Sequence, residues 1–102
     1  MKLEYYPEEK LKKEILEIIK KYLDLKDYKV FLFGSRVRGD SFSRSDIDIG
    51  ILGKKPVPPQ IMFKIKEEIE ELPTLYKFDL IDFFDVSEDF KKEALKYVEE
   101  LQ

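Results

Sequence analysis

Residues 34–50 read GSRVRGDSFSRSDIDIG, and this stretch differs sharply from the rest of the 102-residue chain. It contains every arginine in the protein, whereas Lys and Glu supply most of the charge elsewhere. It begins with a Gly-Ser step directly after an apolar run and ends in alternating Asp and Ile residues. Glycine lets a backbone approach a ligand closely, and arginine binds phosphate through two parallel hydrogen bonds. The stretch therefore predicts a phosphate-binding loop that leads into a strand.

Two carboxylates lie at the end of this stretch, in the alternating run of residues 46–52. Successive side chains of a strand point to opposite faces, so Asp46 and Asp48 share one face while Ile47 and Ile49 share the other. Neighbouring carboxylates repel each other, and a divalent cation bound between them removes that repulsion. Because Mg²⁺ commonly binds one or two carboxylates together with substrate phosphates, the pair predicts a magnesium site.

A third carboxylate is available on the predicted strand of residues 76–84, which carries Asp79 and Asp82. These two residues are three positions apart, so they point to opposite faces of the strand. Only one of them can join Asp46 and Asp48 directly. Both faces also carry apolar residues, and the periodicity alone does not choose between the two acids.

Four residues at the start of the stretch are candidates for nucleotide binding. Gly34 allows close approach to a phosphate, and Ser35 adds a hydroxyl donor. A helix beginning just after Ser35 would also present free N–H groups to an anion. Arg36 and Arg38 can donate to phosphate oxygens, whereas Arg44 fits a solvated loop better. Together with the carboxylates, these groups predict phosphoryl or nucleotidyl transfer on two metal ions, about 3.5–4 Å apart in such sites.

Apolar periodicity outlines the elements that carry these motifs. The expected order is α-β-α-β-α-β-α, including a short helix after Gly34, and it places the chain in the α/β class (α+β in some schemes), as a small mixed β-sheet covered by helices. The last helix is expected to begin after Ser87 and to bury a stripe that extends to Leu101. The expected helices span residues 7–25, 60–72 and 88–101, and the expected strands span residues 28–33, 46–52 and 76–84.

Composition excludes several other kinds of chemistry. Without Cys or His, the chain has no disulfide scaffold, no Cys/His zinc site and no Ser-His or Cys-His nucleophile. The net charge of −3 argues against general nucleic-acid binding, which requires a basic face. Since no apolar run approaches the length of a membrane span, we expect a cytoplasmic protein without membrane association. The length predicts one domain, residues 1–102.

The motif resembles the signature of the DNA polymerase beta-like nucleotidyltransferase superfamily. In that signature Gly-Ser is followed by ten residues and then by Asp-x-Asp, as Ser35, residues 36–45 and Asp46-Ile47-Asp48 are here. The chain is most similar to the minimal nucleotidyltransferases, or MntA-like antitoxins. The resemblance implies the nucleotidyltransferase fold, ATP as substrate and Mg²⁺ as cofactor. It also implies a third Asp between hydrophobic residues. Phe78-Asp79-Leu80 matches that setting, so Asp79 is the expected third ligand and Asp82 the alternative.

The resemblance also implies a partner and a role. MntA-like proteins are paired with a HEPN-domain toxin, an RNase, and several transfer AMP from ATP to a tyrosine of that toxin. We therefore expect a protein adenylyltransferase that acts as the antitoxin of a HEPN/MNT pair, in a homo- or hetero-oligomer. Two alternatives remain open: a binding module that neutralises a HEPN partner by direct contact, and a nucleotidyltransferase that acts on RNA or a small molecule.

Overall fold

The computed structural model describes residues 3, 6–34, 37 and 46–102. Ser35, Arg36 and Arg38, together with the short helix predicted after Gly34, lie outside the described residues. Seven elements are described along the chain. In order they are helix α1 (Glu8–Lys20), strands β1 (Tyr28–Phe33) and β2 (Ile47–Gly53), helix α2 (Pro59–Glu70), strand β3 (Phe78–Asp82), helix α3 (Glu88–Ala94) and strand β4 (Glu99–Glu100).

The four strands form one mixed sheet in the order β3-β2-β1-β4. Strand β1 is antiparallel to both of its neighbours, β2 and β4. Strands β2 and β3 are parallel, and α2 makes the crossover between them, as a parallel pair requires. The predicted α/β class, with a small mixed sheet covered by helices, is confirmed.

One face of the sheet, here called the aliphatic face, is packed under α1 and α2. Its centre is formed by Ile47, Ile49 and Ile51 of β2, which are at most 1% exposed. The helices contribute fully buried residues at helical spacing, because their apolar positions recur on one side. These are Leu11, Ile15, Ile19, Ile65 and Ile69. Glu68 of α2 also binds the segment that directly follows α1, because it accepts hydrogen bonds from the Tyr22 hydroxyl and, at 2.6 Å, from Lys21 Nζ.

The opposite face, here called the aromatic face, carries a cluster of Phe31, Phe33 and Phe83. The Phe83 ring lies 5.0 Å from each of the other two rings in edge-to-face geometry. Helix α3 covers only part of this face. Its N-cap is Ser87, whose hydroxyl oxygen accepts a hydrogen bond from the Phe90 N–H at 3.2 Å. The predicted N-cap at Ser87 is therefore confirmed.

The prediction that the last helix extends to Leu101 is wrong, because α3 ends at Ala94 and the chain returns to the sheet as β4. The Leu101 N–H donates to Val30 O at 3.0 Å. The Gln102 side chain accepts from the Val30 N–H at 2.8 Å and donates to Leu25 O at 3.1 Å. This segment satisfies backbone groups at the open edge of β1, which a continued helix would leave unpaired.

A partly buried ion pair holds the returning segment against α1. Lys12 Nζ lies 2.8 Å from Glu99 of β4 and 3.0 Å from Glu8. Burial alone would lower the pKa of Lys12, but the hydrogen bonds with Glu99 and Glu8 outweigh burial and raise it.

No helix in the described ranges is both long enough and apolar enough to cross a membrane.

Candidate functional site

The site is built around Asp48, at the start of β2 on the aromatic face. Its register partners are Phe33 on β1 and Asp79 on β3. Because adjacent strands are about 4.8 Å apart and paired residues share a face, Asp48 and Asp79 are direct neighbours. Asp46 immediately precedes β2, is exposed and lies two residues before Asp48. The structure thus places Asp48 and Asp79 side by side, and Asp46, the third acid predicted as a metal ligand, is near enough for its charge to act on Asp48.

The grouping of these acids disfavours the ionised form of Asp48. Its pKa is raised from 3.8 to about 6, first by burial and then by the negative charges of Asp79 and Asp46. All three influences disfavour the ionised carboxylate. A cation at this point would relieve them, so the charge pattern is that of a site which gains stability when it binds positive charge.

Gly34 lies directly against this carboxylate. Its φ of +88° falls in the left-handed region, which side chains of L-residues rarely adopt. A Cβ atom at this position would lie 2.1 Å from Asp48 Oδ2, far inside the contact distance. Both observations require glycine, so the first residue of the predicted phosphate loop is held beside the central acid.

Asp82 has a different environment, although it is on the same strand as Asp79. It is paired with Ile51, so it lies on the aliphatic side of β3. Its carboxylate accepts hydrogen bonds from the N–H groups of Val57 at 2.8 Å and Phe84 at 3.0 Å. These bonds tie the loop before α2 to the turn that follows β3, and they point Asp82 away from Asp48.

An open cleft of about 370 Å³ lies beside Asp48 and Gly34. The rest of its lining comes from Phe33 and from four residues of α3 and the segment after it, namely Phe90, Glu93, Ala94 and Tyr97. Phe90 and Ala94 belong to the apolar stripe of the predicted last helix, which favours a core position for both, whereas Glu93 and Tyr97 lie outside that stripe. One signal was available, since Tyr97 is an aromatic residue outside the apolar stripe of the predicted last helix.

The donor atoms fit a hard divalent cation. Among the residues that the structure describes, no group of three acidic side chains is arranged to hold a metal ion by itself. Mg²⁺ does not require such a cage, because it keeps several waters and uses one or two carboxylates with substrate phosphates. Asp48 and Asp79 supply two such carboxylates. Ser35, Arg36 and Arg38 lie outside the described residues, so their contact with phosphate stays a prediction.

The sequence profile of the family "Polymerase beta, Nucleotidyltransferase" matches residues 13–101. The chain belongs to this family. The match includes the Gly-Ser step, the Asp-x-Asp pair and the strand that carries Asp79. The resemblance expected from the motif is confirmed, and the chain is a nucleotidyltransferase.

Comparison with individual proteins narrows the position of this nucleotidyltransferase within the family. It is 36% identical over 84 residues to the probable protein adenylyltransferase MntA of Haemophilus influenzae. The aligned region covers 80% of this chain and 74% of that protein. The fold is similar to that in a solved structure of a toxin–antitoxin with AMP-PNP, with a TM-score of 0.73 at 20% identity, covering 89% of this chain and 72% of that one.

A second solved structure has the same fold. It contains the tri-AMPylated Shewanella oneidensis HEPN toxin in complex with MNT antitoxin, and it matches with a TM-score of 0.68 at 17% identity, covering 90% of this chain and 69% of that one. The nucleotidyltransferase fold expected from the resemblance, in its MNT-like form, is therefore confirmed.

Proposed function

We propose that this nucleotidyltransferase transfers AMP from ATP to a hydroxyl group of a partner protein, a tyrosine of a HEPN-domain toxin, and thereby acts as its antitoxin. The observation that carries the proposal is the position of Asp48, opposite Asp79 and against Gly34 at the edge of an open cleft. The relative from Haemophilus influenzae, which bears the name of a protein adenylyltransferase, supports the choice of reaction. The two toxin–antitoxin structures support ATP and a HEPN protein as partners.

In this proposal the three acids hold Mg²⁺, and two ions are expected. Asp48 and Asp79 supply oxygens from neighbouring strands, and Asp46 supplies a further carboxylate from the residue before β2. When bound, Mg²⁺ supplies the positive charge that neutralises phosphate oxygens during transfer. Gly34, with Ser35, Arg36 and Arg38, holds the triphosphate, because the loop offers backbone and guanidinium donors.

Adenylyl transfer exchanges one phosphorus–oxygen bond for another. The acceptor hydroxyl oxygen attacks the α-phosphorus of ATP, the bond from that phosphorus to the bridging oxygen breaks, and pyrophosphate leaves. The hydroxyl proton must move to a base as the new bond forms. We assign this role to a carboxylate oxygen of Asp79, which is exposed on β3 and lies beside Asp48.

The test is intact-mass analysis of the HEPN-domain toxin of the proposed pair, after incubation with the chain, ATP and Mg²⁺. We expect a gain of one or more AMP units with the wild-type chain. Asp48→Asn should reduce the rate at least about 10³-fold, since it removes the central carboxylate while keeping the shape of the side chain. A tight complex without any mass gain would instead favour a binding module, and a gain on RNA or a small molecule would change the acceptor class.

A matched pair of variants on β3 tests the third acid. Asp79→Asn is expected to lose transfer, because Asp79 faces Asp48. Asp82→Asn is expected to keep transfer, because that side chain is bonded to Val57 and Phe84 on the other side of the strand. The reverse result would assign the third ligand to Asp82.

A further inference from the structure

Two aromatic rings remain exposed inside the cleft that holds Asp48 and Gly34. Phe90 is 43% exposed and Tyr97 is 57% exposed, and both line the same cavity as the central acid. Exposed aromatic surface in a cleft lacks the partner atoms that a packed core would supply. Beside a site for the phosphates of a nucleotide, such a surface has the chemistry to bind a planar base.

The Phe90 ring packs on one side against two other aromatic rings. It lies 5.7 Å from the ring of Phe83 and 6.2 Å from the ring of Phe33, the latter in edge-to-face geometry. Both supporting rings are buried, at 1% and 6% exposure. The Phe90 N–H is also fixed by the Ser87 cap. A ring held in this way loses little conformational freedom when a ligand stacks on it.

We propose that Phe90 and Tyr97 form the platform on which the base of the nucleotide stacks, so that base and phosphates are held at two ends of one cleft. This inference rests on the proposed function, which places the triphosphate at Gly34 and Asp48. The cavity of about 370 Å³ is within the range of small-molecule sites, about 300–1,000 Å³. Stacking on an aromatic ring is available to any base, because every base has a π-face.

Other exposed apolar residues lie on the same segment but outside the cleft. Phe84 is 45% exposed and Leu95 is 36% exposed, yet neither lines the cavity. They resemble Phe90 and Tyr97 in exposure and differ in position. This difference provides matched controls for the platform.

The experiment is calorimetric titration of the full chain, in the presence of Mg²⁺, with ATP and separately with inorganic tripolyphosphate. Phe90→Ala and Tyr97→Ala are each expected to weaken ATP binding by about tenfold, the usual loss when a stacking ring is removed. Binding of tripolyphosphate, which has no base, should stay within about twofold. Tyr97→Phe should bind ATP as the wild type does, because the ring remains.

The controls separate the platform from a general effect on the fold. Phe84→Ala and Leu95→Ala should leave the binding of both ligands unchanged. Phe90→Leu keeps apolar volume behind the cleft and should still lose ATP affinity, with a melting temperature near that of the wild type. If the Phe90 and Tyr97 variants bound ATP normally, or lost tripolyphosphate to the same extent, the platform would be wrong.

A further outcome distinguishes the platform from the function on which it rests. Unchanged ATP binding with a raised KM for the acceptor protein would assign Phe90 and Tyr97 to the acceptor, overturning the platform but not AMP transfer. A wild-type chain that bound neither ATP nor tripolyphosphate would overturn both. A wild-type chain that bound ATP, with the expected losses in the variants, would establish the platform even if no protein were modified.

Discussion

The two faces of the sheet consist of different side chains and differ in how completely helices cover them. The aliphatic face packs Ile47, Ile49 and Ile51 under two helices of 13 and 12 residues, and its centre excludes water completely. The aromatic face is covered by a helix of only seven residues, which leaves Asp48 half-buried beside an open cleft. Folding free energy comes mainly from the aliphatic face, which is closed by its two helices. The aromatic face is open at the cleft and is available for chemistry. Variants on the two faces should therefore have separable effects.

The largest effect on stability is expected at the centre of the aliphatic face. Ile49→Ala removes a side chain that is 0% exposed and should cost about 2–5 kcal/mol of unfolding free energy. Phe90→Ala, on the open face, should cost less than about 2 kcal/mol, because that ring is nearly half exposed. Denaturant titration of both variants measures the difference.

A chain of this size has little stability to spare, so a milder variant accompanies this test. Ile49→Val should cost about 1 kcal/mol and leave AMP transfer per folded molecule unchanged. A comparable cost at Ile49 and Phe90, or a loss of transfer in folded Ile49→Val, would contradict the division between the faces.

Two glycines sharpen the comparison within the open face. Gly34→Ala would place a Cβ atom 2.1 Å from Asp48 Oδ2 at a positive φ, so we expect transfer to fall at least about 100-fold and stability by about 1–3 kcal/mol. Gly50→Ala would instead meet the rings of Phe31 at 2.4 Å and Phe83 at 2.8 Å. It should lower stability similarly by overpacking, while folded molecules keep transfer. Equal losses of transfer would show that Gly34 has no special relation to the acid.

The raised pKa of Asp48 gives the open face a characteristic pH dependence in metal-free protein. The carboxyl group of Asp48 binds a proton more tightly in the folded state than in the unfolded chain. Protonation of Asp48 therefore stabilises the fold at low pH, and this stabilisation is lost as pH rises from about 4 to about 6. The full shift corresponds to about 3 kcal/mol, and solvent screening of the half-exposed group reduces this to about 1 kcal/mol.

Asp48→Asn removes this penalty and should therefore stabilise the metal-free chain at pH 7 by about 1 kcal/mol. Mg²⁺ should raise the melting temperature of the wild type more than that of the variant. Thermal denaturation at pH 4.5 and pH 7, with and without Mg²⁺, measures both effects. A variant that is less stable than the wild type at pH 7 would show that the carboxylate has a favourable partner in the metal-free state.

The smallest effect on stability is expected at the ion pair of Lys12 and Glu99, and its pH dependence is opposite to that of Asp48. Burial raises the pKa of Glu99, but several favourable interactions, of which the hydrogen bond from Lys12 is the largest, together lower it. The contribution of the pair to stability is therefore present above about pH 4.5 and is lost as pH falls. Glu99→Gln should cost no more than about 1 kcal/mol at pH 7, and the exposed neighbour variant Glu100→Gln should cost nothing measurable. Equal costs would show that the pair does not hold β4.

The sequence predicted the elements wherever one pattern dominated. The run of residues 28–33 matches β1, and the Asp-Ile alternation places β2 within one residue. The last helix was overextended because Ala94, Val98 and Leu101 have helical spacing. What decides their structure is the open edge of β1, which lies far away in the sequence, and local periodicity carries no information about it.

The site was predictable in its residue types and less so in its geometry. Alternation put Asp46 and Asp48 on one face, but it could not distinguish Asp79 from Asp82. The pairing register of β2 and β3 separates those two acids, because it sets Asp79 opposite Asp48 and Asp82 opposite Ile51. The cleft residue Tyr97 was missed since its exposure depends on where α3 ends. The assignment of Asp46, Asp48 and Asp79 as metal ligands stays a prediction, as do the single domain and the cytoplasmic location.

The parallel register of β2 and β3 has a consequence for folding itself. A slip of one residue would turn Leu80 toward the cleft and Asp79 toward the aliphatic core. An unpaired carboxylate in that core would cost several kcal/mol, and an exposed leucine would lose its burial. The acid that we propose for catalysis therefore also penalises the mispaired chain. Under the proposed function, selection for activity at Asp79 would also select, through the same side chain, for a strand that can pair in only one way.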